Sequence, residues 1–242
     1  MLARPECSVL GRLADVPEDI VPENVENDMI IAVDGPAASG KGTLAAGLAR
    51  HYGLPHLDTG LLYRAVGKAA ARLEGTDQFE VAAIRAAHEI DGAPLDAAEL
   101  GGAEIGVLAS KVAVIADVRA ALFDLQRRFA TQPGGAVLDG RDIGTRIAPE
   151  ADVKLFISAD SKARMERRAR QLEARGLSVD RYALYHQIEE RDARDMANPN
   201  GGFYRAPDAH LLDTTLLDIE AALRAAVAIV DGVMARKAGH RS

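Results

Sequence analysis

Met29-Ile30-Ile31-Ala32-Val33-Asp34-Gly35-Pro36-Ala37-Ala38-Ser39-Gly40-Lys41-Gly42-Thr43 decides the fold of this 242-residue chain. Its first five residues form an apolar run stopped by Asp34 and Gly35, the pattern of a strand covered on both faces. Leu44 and Leu48 follow, four apart, with Gly53 as a stop, and predict a helix over Thr43 to Tyr52. A glycine-rich turn between such a strand and helix lets successive main-chain N–H groups close around a phosphate chain. The helix N-terminus adds partial positive charge, and Lys41 reaches the outer phosphates. Gly35, Pro36, Ala37, Ala38, Ser39, Gly40, Lys41, Gly42 and Thr43 are therefore the expected binding site for a nucleotide's phosphates. The usual motif places Ser or Thr directly after the lysine. Gly42 stands there instead, so magnesium is expected to be held by phosphates and water rather than by a hydroxyl. The same glycine argues against a GTPase switch.

Outward from this stretch, strands and helices alternate. Further strands are expected at Leu54–Asp58, Ala136–Asp139, Val153–Ser158 and His210–Asp213. Helices are expected over 60–73, 77–90, 104–130 (one or two), from Asp160 onward, over 179–196 and over 219–237. Residues 91–102 and 198–202 read as loops. The alternation predicts a five-stranded parallel sheet sandwiched by helices, with ligands at the carboxyl ends of the strands. Apolar residues make up 48% of the chain, aromatics only 4%, and Trp is missing, so the core is expected to be aliphatic. The formal charge of −7 argues against broad binding to polymeric nucleic acid or anionic lipid. No apolar run approaches the ~20 residues of a membrane span. A single cysteine, Cys7, cannot form an internal disulfide, and the plain reading is a monomer in a reducing cytoplasm. Residues 1–28 are acidic and interrupted by Pro5, Pro17 and Pro22. They read as a loose tail, with the folded domain, and a translation start, expected at Met29.

Two more segments carry chemistry. Leu57-Asp58-Thr59-Gly60 leads into a helix with Tyr63 and Arg64, at the ligand edge of the second strand. Thr59 can hydrogen-bond a sugar, and Arg64 can grip a phosphate through two N–H groups. Alone, this would read as a capping turn with a surface arginine. Leu138-Asp139-Gly140-Arg141-Asp142-Ile143-Gly144-Thr145 follows the third strand. Asp139 can serve hydrated magnesium, Arg141 a phosphate, and Asp142 can accept a hydrogen bond. By itself this is equally a Gly/Asp-rich turn.

Together these segments, with Glu190–Asp195 and Leu212–Thr215, resemble the bacterial cytidylate kinases, from about Ile30 to the final helix. The resemblance implies a three-layer phosphate-loop kinase fold over 29–238, with an acceptor-binding region at about 59–130 and a helical lid at about 164–205. It implies ATP and Mg²⁺ as cofactors and CMP or dCMP as the phosphoryl acceptor. Ser110, Arg119 and Asp142 resemble the cytosine-reading set. A carboxylate that accepts from the N4 amino group, beside an arginine donating to N3 and O2, reads cytosine, whereas uracil would present lone pairs to Asp142. Read without the family, Ser110 and Arg119 are ordinary polar helix surface. Thr59 and Asp195 resemble ribose contacts; Arg64, Arg141 and Arg191 resemble clamps on phosphate. Arg164, Arg167 and Arg168 resemble the start of the lid, which places Arg167 with Lys41, Arg141 and Arg191 in the expected catalytic set. Two departures stand out. A family arginine three residues after Asp195 is replaced by Asn198, for which Arg205 is a candidate substitute. The small stranded insert that many members carry after the position of Leu73 is reduced to helices and loop. The rival readings are a kinase for UMP or a small metabolite and, more remotely, a nucleotide-dependent switch without an acceptor.

Overall fold

In a computed structural model, residues 29–93, 95–198 and 203–239 are described. The tail expected over 1–28, Cys7 and most of the 198–202 loop lie outside them. The strands are β1 (Met29–Asp34), β2 (His56–Asp58), β3 (Gly135–Gly140), β4 (Val153–Ser158) and β5 (His210–Asp213). They form one sheet in the order β2-β3-β1-β4-β5, parallel throughout. Met29 lies opposite Gly135 and Asp34 opposite Gly140, so β1 and β3 end together.

Every residue of β1 and β3 is buried. The alternation of side chains across the sheet explains this, because each face has its own core. Ile30 and Ala32 point to one face and pack with Leu62, Val66, Leu122 and Leu138. This face is covered by α2 (Thr59–Ala70) and α6 (Ala116–Ala130), with α3 (Gln78–Glu89) packed against those two helices. Ile31 and Val33 point to the other and pack with Leu48, Leu155, Ile157 and Val230, beneath α1 (Lys41–Tyr52) and α9 (Ile219–Gly239). Between α3 and α6 lie α4 (Ala97–Leu100) and α5 (Ala103–Val112). After β4 come α7 (Ser161–Glu173) and α8 (Arg181–Met196), joined by a small cluster of Met165, Ala169, Leu184 and Ile188.

The expected parallel α/β sandwich is present, with local differences. The second strand begins at His56; the carbonyl of Pro55 accepts from Val137 N at 2.9 Å and leads into it. Within the stretch read as loop over 91–102, Asp96 caps the single turn of α4, accepting from Ala98 N at 2.7 Å. Residues 104–130 divide at 113–115 into two helices. Between β2 and β3 the described residues form only helices and turns, as the missing stranded insert implied. Gly67 sets the spacing of α2 and α5: a Cβ there would come within 2.9 Å of Ala109 N and Leu108 C. Among the described residues, no helix is long and apolar enough to cross a membrane.

Candidate active site

The phosphate loop leaves β1 at Asp34 and enters α1 at Lys41. Gly40 caps the helix in the left-handed region, at φ 90°, without a side-chain cap bond, so the first-turn amides remain for a ligand. Ala38 is also left-handed, at φ 58°, a conformation unfavourable for a residue with a Cβ and held here by its surroundings. The surroundings are three arginines. Gly35 O accepts from Arg141 Nη1 at 3.0 Å, Ala37 O from Arg164 Nη1 at 3.1 Å, and Ser39 O from Arg167 Nη1 at 3.2 Å. Alternate carbonyls are thus tied by guanidinium groups. Ser39 N donates within the loop to Pro36 O at 3.4 Å, and the remaining amides can turn inward to form an anion-binding hollow.

Lys41 is buried. Its ammonium is pushed down to about 8, first by burial, then by Arg141, with Asp139 and Asp58 opposing and Arg191 adding to the fall. Asp139, at the end of β3, is also buried. Its Oδ1 lies 2.8 Å from His56 Nε2, and its Oδ2 faces Gly42, 3.7 Å from where a Cβ would stand. Thr59 donates its hydroxyl proton to Asp139 O at 2.8 Å, so toward any sugar it can act only as an acceptor. Asp58 caps α2, accepting from Gly60 N at 2.9 Å.

At the other end of the cleft, Arg119 Nη2 donates to Asp142 Oδ2, and both residues are buried. The Arg119 guanidinium also sits 5.9 Å from the ring centroid of Tyr63. Ser110 Oγ donates to Gly106 O at 3.1 Å. Between the two ends lie the other cations. Arg141 Nε donates to Asp195 Oδ2 at 2.8 Å. Arg64 Nη1 donates to Leu100 O at 2.7 Å and Gly102 O at 3.0 Å. Arg191 is half-buried, its Nε is enclosed without a hydrogen-bond partner, and its guanidinium is pushed down to about 10 by desolvation first and then by Arg141. Desolvation and the like charges of Arg141 and Arg64 oppose protonation here, and a bound anion would offset them.

Lys41, Thr59, Arg64, Ser110, Arg119, Arg141, Asp142, Arg191 and Asp195 all line one cleft of about 810 Å³, together with Ala37 and Ala38. Arg167 does not line it. It lies against the loop's outer side, where it also donates to Thr214 Oγ1 at 3.1 Å and to the Thr214 carbonyl. Asp139 lies beneath Gly42 rather than on the cleft wall. Arg205 is exposed and not on the wall, whereas Arg168 and Arg194 are. Asn198 lines the cleft and donates to Ala113 O at 3.2 Å. A separate groove of about 500 Å³, lined by His88, Asp117 and Arg128 among others, shares no residue with the cleft.

Two residues near the site were not expected from the sequence. His56 shows only as one residue of a short strand. Asp34 ends β1 directly before the loop glycine, and an acid closing an otherwise apolar, fully covered strand is the signal that could have found it.

Comparison with known proteins places the chain in a family. The sequence model of the cytidylate kinase family matches residues 31–231. The cytidylate kinase of Xanthobacter autotrophicus is 56% identical over 211 residues, covering 87% of this chain and 100% of that protein. The cytidylate kinase of Methylocella silvestris is 52% identical over 213 residues, covering 88% of this chain and 99% of that protein. A solved structure of a protein from Eubacterium ventriosum superimposes with a TM-score of 0.51 at 17% identity, over 84% of this chain and 98% of that one, a likeness of fold. The family match and these relatives show that the chain belongs to the cytidylate kinase family.

Proposed function

We propose that the protein transfers the γ-phosphoryl group of ATP to a phosphate oxygen of CMP or dCMP, giving ADP and CDP or dCDP. Family membership makes it a phosphotransferase acting on these acceptors; the donor, the metal and the residue roles are our reading. One observation carries that reading: a single cleft holds the phosphate loop, three crowded guanidinium groups and the buried Arg119–Asp142 pair.

The acceptor phosphate is already an anion at neutral pH, so catalysis rests on alignment and charge neutralisation. Lys41 and the loop amides hold the donor's phosphates. Arg141 and Arg191 neutralise charge on the group in transit. Arg64 holds the acceptor phosphate, exchanging the carbonyls of Leu100 and Gly102 for phosphate oxygens. Thr59 and Asp195 contact the sugar. Asp142 accepts from the cytosine amino group, Arg119 donates to the ring acceptors, and Ser110 completes the set. Arg167 acts through the loop, by fixing Ser39 O, and is a positioning residue. Magnesium suits the donor set, because Asp139 is a carboxylate with its Oδ2 turned toward Gly42 at the start of the phosphate-binding helix. Asp139 would hold it through water, and when bound it would supply positive charge to neutralise the donor's phosphates.

The test is ADP release with ATP, Mg²⁺ and CMP, dCMP, UMP or AMP in parallel. CMP and dCMP are expected to outpace the others. Equal rates with UMP would refute the base assignment, and ATP turnover indifferent to every monophosphate would refute the transfer itself. Asp142→Ala is expected to weaken CMP use and blunt discrimination against UMP.

A further inference from the structure

Asp34 is a buried acid that the mechanism above leaves unused. It ends β1 directly before Gly35 and is 6% exposed. Its Oδ1 accepts from Ile143 N at 2.9 Å and its Oδ2 from Gly144 N at 2.8 Å. Those amides open the π-type turn Ile143–Ile147, which follows Arg141 and Asp142. The turn is closed by its own backbone, since Asp142 O accepts from Arg146 N at 2.9 Å and Ile147 N at 3.1 Å. At its far end Arg127 Nη1 donates to Ile147 O at 2.6 Å, and Ile143 and Ile147 are buried in the core; at its start, beside Asp142, the side chain that ties it to the phosphate-loop strand is Asp34.

We propose that Asp34 is a positioning residue that pins the CMP-reading turn to the base of the phosphate loop, so that Asp142 and Arg141 are held in register with Lys41. This rests on the assignment of Asp142 and Arg141 to the CMP site. The chemistry of the contact favours a carboxylate. Each oxygen faces an N–H, and only a carboxylate offers an acceptor on both sides; an asparagine would set its own N–H₂ against one of them. The packing is equally specific. A Cβ at position 144 would stand 3.1 Å from Lys154 Cδ and 3.4 Å from Asp34 Oδ2, so glycine allows the amide its close approach. Burial is the largest influence on Asp34 and, with Asp142 adding to it, pushes the carboxyl up to about 6 against the two amides and Lys41. A charge kept there against its burial cost is poorly explained by stability alone.

The experiment uses the full chain as Asp34→Asn. Hydrogen exchange is read over peptides covering 141–147, with β1 and β3 as internal controls for folding, and CMP and ATP affinities are measured separately by calorimetry. Expected are faster exchange in 141–147, unchanged protection in the controls, and CMP affinity lower by about tenfold, with ATP affinity within about twofold of the parent. Unchanged exchange in 141–147 would overturn the proposal and leave the function above standing. Equal loss of CMP and ATP affinity would also overturn it, by reducing Asp34 to a general support. Faster exchange with normal CMP affinity would overturn both, by removing the turn from the CMP site. Should Asp34→Asn fail to fold, Gly144→Ala pushes on the same contact from the other side, and the same outcomes support or overturn the proposal.

Discussion

The sheet and the α7–α8 hairpin are held by different forces. The sheet sits between two aliphatic cores, with Ile31, Val33, Leu48 and Leu138 fully enclosed. The hairpin has a buried apolar cluster of four residues. Its connection to the phosphate loop is polar. Arg164, buried, donates to Ala159 O at 3.0 Å and to Ala37 O, and lies 2.6 Å from Asp192 Oδ2, while Arg167 holds Ser39 and Thr214. Apolar burial is non-directional and is lost in proportion to the area opened. Hydrogen bonds to carbonyls are directional and can be exchanged for bonds to water or phosphate at small net cost. The contrast implies that the sheet supplies the stability and the hairpin a joint that can be remade.

Substitutions can break or sharpen that contrast. The largest effect is expected at Lys41, where the strand-built loop meets the donor: Lys41→Ala should cut turnover by at least ~10²–10³-fold. Its melting should remain one cooperative transition, followed by circular dichroism. Next is Leu48→Ala, which should cost ~2–5 kcal/mol in denaturant unfolding, whereas Ile188→Ala in the hairpin should cost clearly less and act mainly on turnover. Equal unfolding costs would erase the distinction between the regions. Arg164→Ala should raise the KM for ATP about tenfold and that for CMP much less, because it frees Ala37 O and strands Asp192.

The pH response is a smaller effect with opposite signs at two residues of one strand–loop unit. Lys41 falls from an ordinary 10.5 to about 8, so between these values the unfolded chain binds the extra proton, and this residue's contribution to stability rises with pH. Over the same range the free protein loses the cation that meets phosphate, so ATP affinity should fall as pH rises through about 8. Asp34 rises from 3.8 to about 6, so the native state holds the extra proton between them, and its contribution to stability grows as pH falls across that window. Potentiometric titration of folded and unfolded protein would check both directions. The smallest effect is expected at Arg205, exposed and off the cleft wall. Arg205→Ala should leave the KM for CMP within about twofold, with Arg194→Ala the more damaging of the two.

The difference between the regions also governs what could be read in advance. β1 and β3 announce themselves as unbroken apolar runs because both faces are covered. The phosphate loop is legible because its chemistry lies in consecutive residues. α4 escaped because a single helical turn displays no period. Ser110 and Arg119 look like solvated helix surface until the chain is folded, and only the resemblance to a family singled them out. Arg167 could be placed on its helix, but its direction depends on how α7 lies against the loop. Asp34 and His56 act on atoms of residues distant in sequence, and no local pattern marks such a contact.

The close approach of α2 and α5 at Gly67 has a last consequence. Arg64 rides on one of these helices and Ser110 on the other, and the two backbones touch without an intervening side chain. The grip on the acceptor's phosphate and part of the grip on its base are therefore mounted on a single stiff platform. Altering the preferred nucleobase by respacing these helices would misplace the phosphate as well. Redesign for a new base has its freer ground at Arg119 and Asp142, which stand on other elements.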